Sequence, residues 1–233
     1  MKSTGPLSGR YPLTHPQLRI WNTEQLCPGS AVANQTLRVT LEGEIDLDAL
    51  AISIQEVAAA FDCLWIRLER PEDETAPPLQ YFTTPAPLGI ERVTLDPDDL
   101  EAWCAAQAAR PRERFDTRLF SFTLLTWGDQ HGFLFVGHHA VCDGTTCDLL
   151  FTEIARQYDA RRGGGEPAPA SFGSYLDFIT AEQAYLTSEE CARDRDFWTA
   201  QLTPLPESPL PAAGRSSTGD PTAHSVTLSL PYA

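Results

Sequence analysis

The pattern of apolar and polar residues changes abruptly at residues 133–146, FLFVGHHAVCDGTT. Four consecutive apolar residues, Phe133 to Val136, predict a strand that is covered on both faces. Gly137 then removes a side chain just before two histidines. After Gly144, apolar residues recur every three or four positions up to Tyr158, which predicts an amphipathic helix. A strand, a tight polar turn and a helix therefore meet at this segment.

Similar patterns predict the remaining elements. Capping residues and helical spacing favour helices at residues 15–25, 47–61, 96–109, 171–186 and 188–202. Alternating and apolar runs favour strands at residues 35–44, 63–69, 79–83 and 90–95, with the last three forming a meander. Residues 119–126 and 133–136 form a hairpin in this interpretation. The order of elements mixes helices with hairpin-connected strands.

Two further segments have distinctive compositions. Residues 110–118 carry four arginines, which is typical of a solvated face, although in so acidic a chain a docking patch is the alternative. Residues 203–223 are dominated by proline, glycine, serine and alanine, and they predict a flexible linker. We therefore expect one lobe over residues 1–202, this linker, and the start of a second, missing lobe at residues 224–233.

Composition limits the classes of partner. The chain has 233 residues, 42% of them apolar, so it can bury a sizeable core. Its formal net charge of -15 argues against nucleic acid and anionic membrane as partners, because both attract basic surfaces. The N-terminus lacks the apolar core of a signal peptide, and no apolar run is long enough to span a bilayer. We therefore predict a soluble, cytoplasmic protein.

The candidate chemistry lies in the turn. His138 and His139 offer a general base and a second imidazole, and Asp143 offers a carboxylate that can fix a tautomer or brace the loop. Gly144 suits a sharp turn where a substrate comes close. The chain has no GxSxG motif and no glycine-rich phosphate loop. A catalytic site centred on His139 is the favoured interpretation, and a purely structural histidine pair is the alternative.

A metal site is a second alternative at the same place. The two histidines, Asp143, Cys142 and Cys147 bring five potential ligands into ten residues. Adjacent histidines on a strand point to opposite faces, however, and no second cluster of ligands exists elsewhere. The six cysteines form no CxxC pair, which favours buried, reduced thiols. We expect neither a metal nor a bound cofactor.

The segment HHAVCDG resembles the HHxxxDG signature of the condensation domains of non-ribosomal peptide synthetases. LTHPQLRIW at residues 13–21 is similar to the opening motif of that family, roughly LTxAQxRLW, with Gln17 and Trp21 matching. The resemblance covers nearly the whole chain. It implies an α+β fold, a two-layer α/β sandwich similar to one lobe of chloramphenicol acetyltransferase. Helices would pack on a mixed, mostly antiparallel sheet.

The resemblance also implies a reaction. A donor acyl thioester and an acceptor aminoacyl thioester, both presented on the phosphopantetheine arms of carrier proteins, would be joined by an amide bond. His139 matches the catalytic position, where it either takes the amine proton or orients the amine. His138 and Asp143 match supporting positions, and Gly144 matches the glycine beside the substrate tunnel.

The sequence departs from the family in two places. Ala60 and Trp65 stand where the second motif carries two arginines, one of which would brace the motif aspartate. Arg67, two residues further along the predicted strand, is the expected substitute partner of Asp143. The family's later motifs have no counterpart after Tyr232, so we expect a second lobe from a longer protein or a partner chain.

Three other functions remain open at this stage. The same signature occurs in acyl-CoA-dependent acyltransferases, including the wax ester and diacylglycerol synthases. Epimerisation domains also keep the two histidines. A condensation-like lobe that only docks or recruits other proteins is the non-catalytic possibility.

Overall fold

The computed structural model describes residues 9–73 and 75–204. Within these residues the α-helices are α1 (His15–Leu26), α2 (Leu47–Ala60), α3 (Leu100–Ala109), α4 (Gly144–Arg162), α5 (Tyr175–Leu186) and α6 (Glu189–Gln201). The strands are β1 (Tyr11–Pro12), β2 (Asn34–Leu41), β3 (Ile66–Leu68), β4 (Leu79–Phe82), β5 (Glu91–Leu95), β6 (Phe120–Trp127) and β7 (Gln130–His138). Short 3₁₀ turns at Asp62–Trp65 and Pro97–Asp99 precede β3 and α3.

The strands form a three-stranded sheet of order β1-β4-β3 and a four-stranded sheet of order β2-β7-β6-β5. In the larger sheet β7 pairs antiparallel with both β2 and β6, and β5 pairs parallel with β6. The smaller sheet is antiparallel. The predicted α+β lobe with a mixed, mostly antiparallel sheet is therefore confirmed.

The core explains why residues 133–136 are all apolar. Phe133 and Phe135 face the larger hydrophobic cluster, which also contains the inner faces of α2 and α4. Leu134 and Val136 face a second, smaller cluster that includes residues of α3. All four side chains are buried, so the predicted double coverage of this strand is confirmed. Helices thus cover both faces of the larger sheet around β7.

The end of β7 is packed so closely that it requires glycine. A Cβ atom on Gly137 would lie 2.4 Å from the Cys142 Sγ and 2.7 Å from the Phe135 Cζ. Distances of this kind fall well inside van der Waals contact, so any side chain would displace one of these neighbours. The chain after the histidine pair therefore folds back directly over Gly137.

Two strand predictions are corrected. Residues 90–95 do not continue a meander, because β5 lies in the other sheet and pairs in parallel with β6. Pro85, Pro87 and a left-handed Gly89 (φ 62°) lie in the connection between β4 and β5, where they interrupt regular pairing. The strand predicted at residues 63–69 is shorter, because a 3₁₀ turn occupies its first half.

The boundaries of α1 agree with the prediction, but its buried face differs. Thr14 precedes the helix, and its backbone N–H donates to the Gln17 Oε1 at 2.8 Å. The helix buries Trp21 and, unexpectedly, the polar Gln17. Leu26, the last residue of the helix, is apolar but 82% exposed. A polar residue thus occupies a core position on this helix.

The arginine-rich segment before β6 is not a fully solvated face. Arg110 is exposed, whereas Arg112, Arg114 and Arg118 are partly buried. Arg118 Nη2 donates to the Leu88 carbonyl at 2.7 Å, and burial lowers the pKa of Arg118. Burial likewise lowers the pKa of Arg112. Two of the four cations, Arg114 and Arg118, therefore contact aromatic rings or backbone carbonyls of the protein itself.

Two compact units are distinguished, Met1–Gln183 and Ala184–Ala233. In the second unit Ser188 caps α6 by accepting from the Cys191 N–H at 3.1 Å, and Tyr185 donates to Asp194 at 2.6 Å. The predicted linker and following strand fall almost entirely on residues 205–233, outside the described residues. Across the part of the chain described, no helix combines the length and hydropathy needed to cross a membrane.

Replacing Gly137 by alanine is expected to lower the free energy of unfolding by about 1–3 kcal/mol, because the new Cβ atom overpacks the contact with Cys142 and Phe135. Urea denaturation measures the change. Gly144→Ala is the matched control, since a Cβ atom there meets no atom within 4 Å. Equal stability of the two variants would contradict the close packing at Gly137.

Candidate active site

The two histidines lie at the end of β7, where the alternation of a strand sends their side chains in opposite directions. His138 is the last residue of β7 and is 4% exposed, whereas His139 is exposed. The His139 backbone N–H donates to the Ala33 carbonyl at 2.8 Å, and the Val141 N–H donates to the His138 carbonyl at 2.9 Å. These backbone bonds fix the turn that carries His139.

His138 is held at both ring nitrogens. Its Nε2 lies 3.1 Å from the Glu24 Oε1 at the end of α1, and its Nδ1 lies 3.1 Å from the Ala140 backbone nitrogen. A buried imidazole with both nitrogens engaged has no lone pair or proton left for a substrate. Both ring nitrogens of His138 are therefore engaged within the protein.

His139 borders an open cleft of about 650 Å³. The cleft lies between α1, the histidine turn, the first turn of α4 and the start of α5, and its lining includes Gln17, Arg19, Ile20, Thr23, Cys63, Cys142, Asp143, Thr146, Tyr175 and Phe178. Among the described residues, neither ring nitrogen of His139 makes a hydrogen bond. An exposed imidazole with free nitrogens beside a cleft of this size can bind a substrate amine and exchange a proton with it.

A second cleft of about 370 Å³ adjoins the first. The residues Cys63, Asp143, Thr146, Tyr175 and Phe178 line both. The remaining lining of the second cleft is largely apolar and includes Phe61, Leu149 and Phe172. The second cleft therefore adjoins the cleft that His139 lines, although His139 is not among its own lining residues.

Asp143 is the N-cap of α4. Its Oδ1 accepts from the Thr146 backbone N–H at 2.8 Å and from the Thr146 hydroxyl at 2.7 Å. These two hydrogen bonds lower the pKa of Asp143, and the attraction of the nearby His139 adds to the shift. The carboxylate is exposed and needs no buried cation. It lies in the same cleft as His139.

The expected pairing of Arg67 with Asp143 is wrong. Arg67 lies on β3 opposite Tyr81, its Nη1 donates to the Ile66 carbonyl at 2.9 Å, and its guanidinium lies 5.9 Å from the centre of the Trp65 ring. Burial lowers the pKa of Arg67, and the nearby Arg118 contributes to the shift. Asp143 is satisfied by its capping bonds, so the loss of the second-motif arginines leaves no unpaired carboxylate.

Gly144 begins α4, and the space around its Cα is open. The structure thus brings His139 and Asp143 into the lining of one cleft, whereas Gly144 is not among the residues that line either cleft. The structure sends His138 to the other side of the turn and leaves Arg67 in a separate set of contacts.

The buried side chain of Gln17 makes a set of hydrogen bonds, here called the clamp, that the sequence motif alone does not predict. Its Nε2 donates to the Ala140 carbonyl at 3.0 Å, and its amide pairs with that of Gln80 on β4 at 2.8 Å. Its Oε1 also accepts from Thr14. One buried amide thus connects α1, the smaller sheet and the histidine turn. The match of Gln17 to the opening motif is the only sequence signal for this role.

Two more residues hold the surroundings of the turn. With its amide oriented to satisfy both groups, Gln35 on β2 donates to the Cys142 carbonyl and accepts from the Gly144 N–H. Tyr175 at the start of α5 lies 3.1 Å from the Thr14 hydroxyl, and burial raises the pKa of Tyr175 to about 12. Asp62 accepts from the Tyr175 N–H and so fixes the first turn of α5. None of these contacts follows from local sequence patterns.

The cysteines beside the cleft are held as thiols. Burial raises the pKa of Cys63 to about 12. The neighbouring Cys147 thiol and burial together raise the pKa of Cys142. A protonated thiol is a poor nucleophile and a poor metal ligand. Within residues 9–73 and 75–204 no group of three His, Cys, Asp or Glu side chains is arranged to hold a metal ion.

Comparison with known proteins agrees with this geometry. The family described as "Condensation domain" matches residues 7–232. The chain belongs to the condensation-domain family. Surfactin synthase subunit 1 of Bacillus subtilis (strain 168) is 29% identical over 84% of the chain, and a plipastatin synthase of the same organism is 32% identical over 81%. These alignments cover 6% and 8% of the two synthases, respectively.

Solved condensation domains share the fold. The starter condensation domain of rhizomide synthetase has a TM-score of 0.75 and 26% identity, and covers 86% of the chain. The first condensation domain of the calcium-dependent antibiotic synthetase, in complex with a substrate analogue, has a TM-score of 0.72 and 27% identity over the same share. The chain covers 49% of each of these structures, about half of a solved condensation-domain chain. These condensation-domain neighbours agree with the predicted chloramphenicol acetyltransferase-like lobe.

Gln17→Ala is expected to lower the free energy of unfolding by about 2–3 kcal/mol, because it leaves buried partners such as the Ala140 carbonyl and Gln80 without their hydrogen bonds. Denaturation with guanidinium measures the change. Gln25→Ala is the matched control, because Gln25 lies on the same helix and is exposed. A loss no larger than that of the control would show that the clamp does not stabilise the turn.

Asp143→Ala is expected to lower stability by about 0.5–2 kcal/mol at pH 7, the usual effect of removing a helix N-cap. Because the folded pKa of Asp143 lies below the unfolded value of about 3.8, its contribution is complete above that value. It is lost as the pH falls through the folded pKa. Unfolding measured at pH 7 and at pH 3 tests this dependence.

Arg67→Met tests whether Arg67 or Thr146 binds the Asp143 carboxylate. Since Thr146 and not Arg67 binds the carboxylate, this variant is expected to leave the NMR titration of Asp143 unchanged, whereas Thr146→Val shifts it upward. The opposite result would restore the pairing with Arg67.

Proposed function

We propose that this chain takes part in non-ribosomal peptide synthesis by forming an amide bond between two thioesters. The donor is an acyl thioester and the acceptor is an aminoacyl thioester, and each is presented on the phosphopantetheine arm of a carrier protein. The chain spans about half of a solved condensation domain, so the remaining part of the site is supplied by further sequence of the same protein or by a partner chain.

The observation that carries this proposal is the exposed ring of His139 beside the cleft, in a chain of the condensation family. A second cleft, which shares Cys63, Asp143, Thr146, Tyr175 and Phe178 with the first, offers space for a second substrate. The names of the relatives support the same chemistry, since they are synthases of surfactin and plipastatin, and one structural relative is in complex with a substrate analogue.

In the proposed reaction the acceptor amine attacks the carbonyl carbon of the donor thioester. A C–N bond forms, the C–S bond breaks, and the donor's phosphopantetheine leaves as a thiol. His139 binds the attacking amine and takes up its proton, which then passes to the departing sulfur. Asp143 lines the same cleft as His139 and, as the N-cap of α4, holds the end of the turn that carries His139.

The other residues of the turn act indirectly in this mechanism. His138 holds the shape of the turn from its buried side. Gly144 leaves open space beside the start of α4, where a substrate arm can approach the cleft. No step is assigned to Cys63 or Cys142, because the raised pKa of each keeps it protonated. Arg67 has no part in the reaction.

His139→Ala is expected to reduce amide formation at least about 100-fold, the usual effect of removing a general base. The chain is offered donor and acceptor thioesters on carrier proteins, alone and with a candidate chain that carries the rest of a condensation domain. Mass spectrometry of the acceptor carrier detects the product. His131→Ala is the matched control, because His131 lies on the same strand and pairs with Thr126.

Other results would favour other functions. Product formed from an acyl-CoA donor but not from an acyl carrier would favour an acyl-CoA-dependent acyltransferase. Carrier binding by wild type and His139→Ala, with no product from either in any combination, would favour a docking lobe without catalysis. Equal rates for His139→Ala and His131→Ala would remove His139 from the mechanism.

A further inference from the structure

The hydrogen bonds of His138 determine which of its nitrogens carries the proton. A backbone N–H can only donate, so the Nδ1 that faces the Ala140 nitrogen must accept and carries no proton. The proton of the ring then lies on Nε2, where it points at the Glu24 carboxylate. The neutral Nε2–H form is therefore the one that satisfies both contacts.

Glu24 is itself held in place. Its carboxylate lies 3.5 Å from the Arg114 Nη1, and its side chain is only 12% exposed. The Arg114 guanidinium in turn lies over the rings of Trp21 and Phe115, 4.8 Å and 5.0 Å from their centres. A cation stacked between α1 and the segment before β6 thus fixes the carboxylate that faces His138.

A plain buried ion pair between Glu24 and a charged His138 does not fit these contacts. An imidazolium carries protons on both nitrogens, so its Nδ1 offers no lone pair to the Ala140 N–H. That backbone donor is buried and would lose its acceptor. The geometry requires the neutral ring, and so Glu24 acts as an acceptor and not as a simple counter-ion.

We propose that Glu24 is a positioning residue for the histidine turn. By accepting the Nε2 proton it holds His138 in one tautomer, which keeps Nδ1 free to bind the Ala140 N–H and fixes the backbone between His138 and Ala140. His139 lies within that backbone and owes its orientation to it. This role deepens the proposed amide-forming function and rests on it for its catalytic consequence, whereas the tautomer itself is measurable without any substrate.

Nitrogen NMR of the intact chain, labelled at histidine, tests the tautomer. In wild type and in Glu24→Gln, whose amide oxygen still accepts, the Nδ1 of His138 is expected to keep the chemical shift of an unprotonated nitrogen. In Glu24→Met the acceptor is lost, and the ring is expected to populate the Nδ1–H form. The Ala140 amide is then expected to exchange faster with solvent. Glu101→Gln is the matched control, since it breaks an exposed ion pair with Arg38.

Amide formation under the conditions of the carrier assay gives the second readout. Glu24→Met is expected to lower kcat about 10- to 100-fold with little change in KM, as a misplaced catalytic group does. The kcat values of Glu24→Gln and Glu101→Gln are expected to remain within about threefold of the wild-type value, because a retained acceptor allows only a small displacement of the histidine turn. Circular dichroism shows whether each variant is folded. If Glu24→Met does not fold, the comparison of Glu24→Gln with wild type still tests the proposal.

Three results would overturn the proposal. If His138 keeps the Nε2–H form in Glu24→Met, Glu24 does not determine the tautomer, whatever the activity of the variant. A changed tautomer with an unchanged rate excludes the positioning role. If Glu24→Met does not fold, loss of the Nε2–H form in Glu24→Gln also contradicts it. Wild type that forms no amide disproves the proposed function instead, and the NMR comparison still decides whether Glu24 fixes the turn.

Discussion

The site depends on the burial of β7 between two hydrophobic clusters. With Phe133 and Phe135 on one face and Leu134 and Val136 on the other, the strand can neither slide nor rotate without moving apolar side chains into the wrong layer. The alternation continues to the end of the strand, so the next residues inherit their directions from it. His138 is consequently buried and His139 exposed, with no special interaction needed to separate them.

Polar contacts fix the conformation of the turn at residues 138–144, which follows the buried strand. Gln17, Gln35 and Glu24 come from two elements of the chain, and each binds a different part of residues 138–144. Two of the three are reached from α1 and the third from β2. Buried hydrogen bonds of this kind are costly to break, so the turn keeps one shape once the surrounding elements have assembled. The ring of His139, on the other side of the turn, is exposed to the cleft.

Much of this arrangement could be predicted from local sequence. The spacing of apolar residues predicts the bounds of α2 to within one residue, because the helix packs one continuous stripe on the core. The HHxxxDG resemblance led to the turn and to the family, which the comparisons confirm. The roles of His138, His139, Asp143 and Gly144 remain proposals, because they concern a reaction rather than a fold.

The rest depended on contacts between distant segments. Residues 90–95 have the pattern of a strand, but that pattern does not specify a partner, and the parallel pairing with β6 joins residues about 30 positions apart in the chain. Gln17 reads as an ordinary helix residue until its partners are known. The position of Arg67 along the strand predicts a pairing with Asp143. In the structure the Asp143 carboxylate is instead satisfied locally by Thr146.

The partly buried arginines have a consequence for how the molecule contacts charged solutes. The formal charge of -15 counts every cation equally. Arg67 and Arg118, however, turn toward carbonyls and rings inside the fold, and Arg114 lies against Trp21 and Glu24. Burial does not remove these charges from the field at a distance, which still follows the net charge, but it leaves the three cations little surface for direct contact with an approaching anion. Encounters with positively charged surfaces should accordingly be fast at low salt and slow markedly as ionic strength rises.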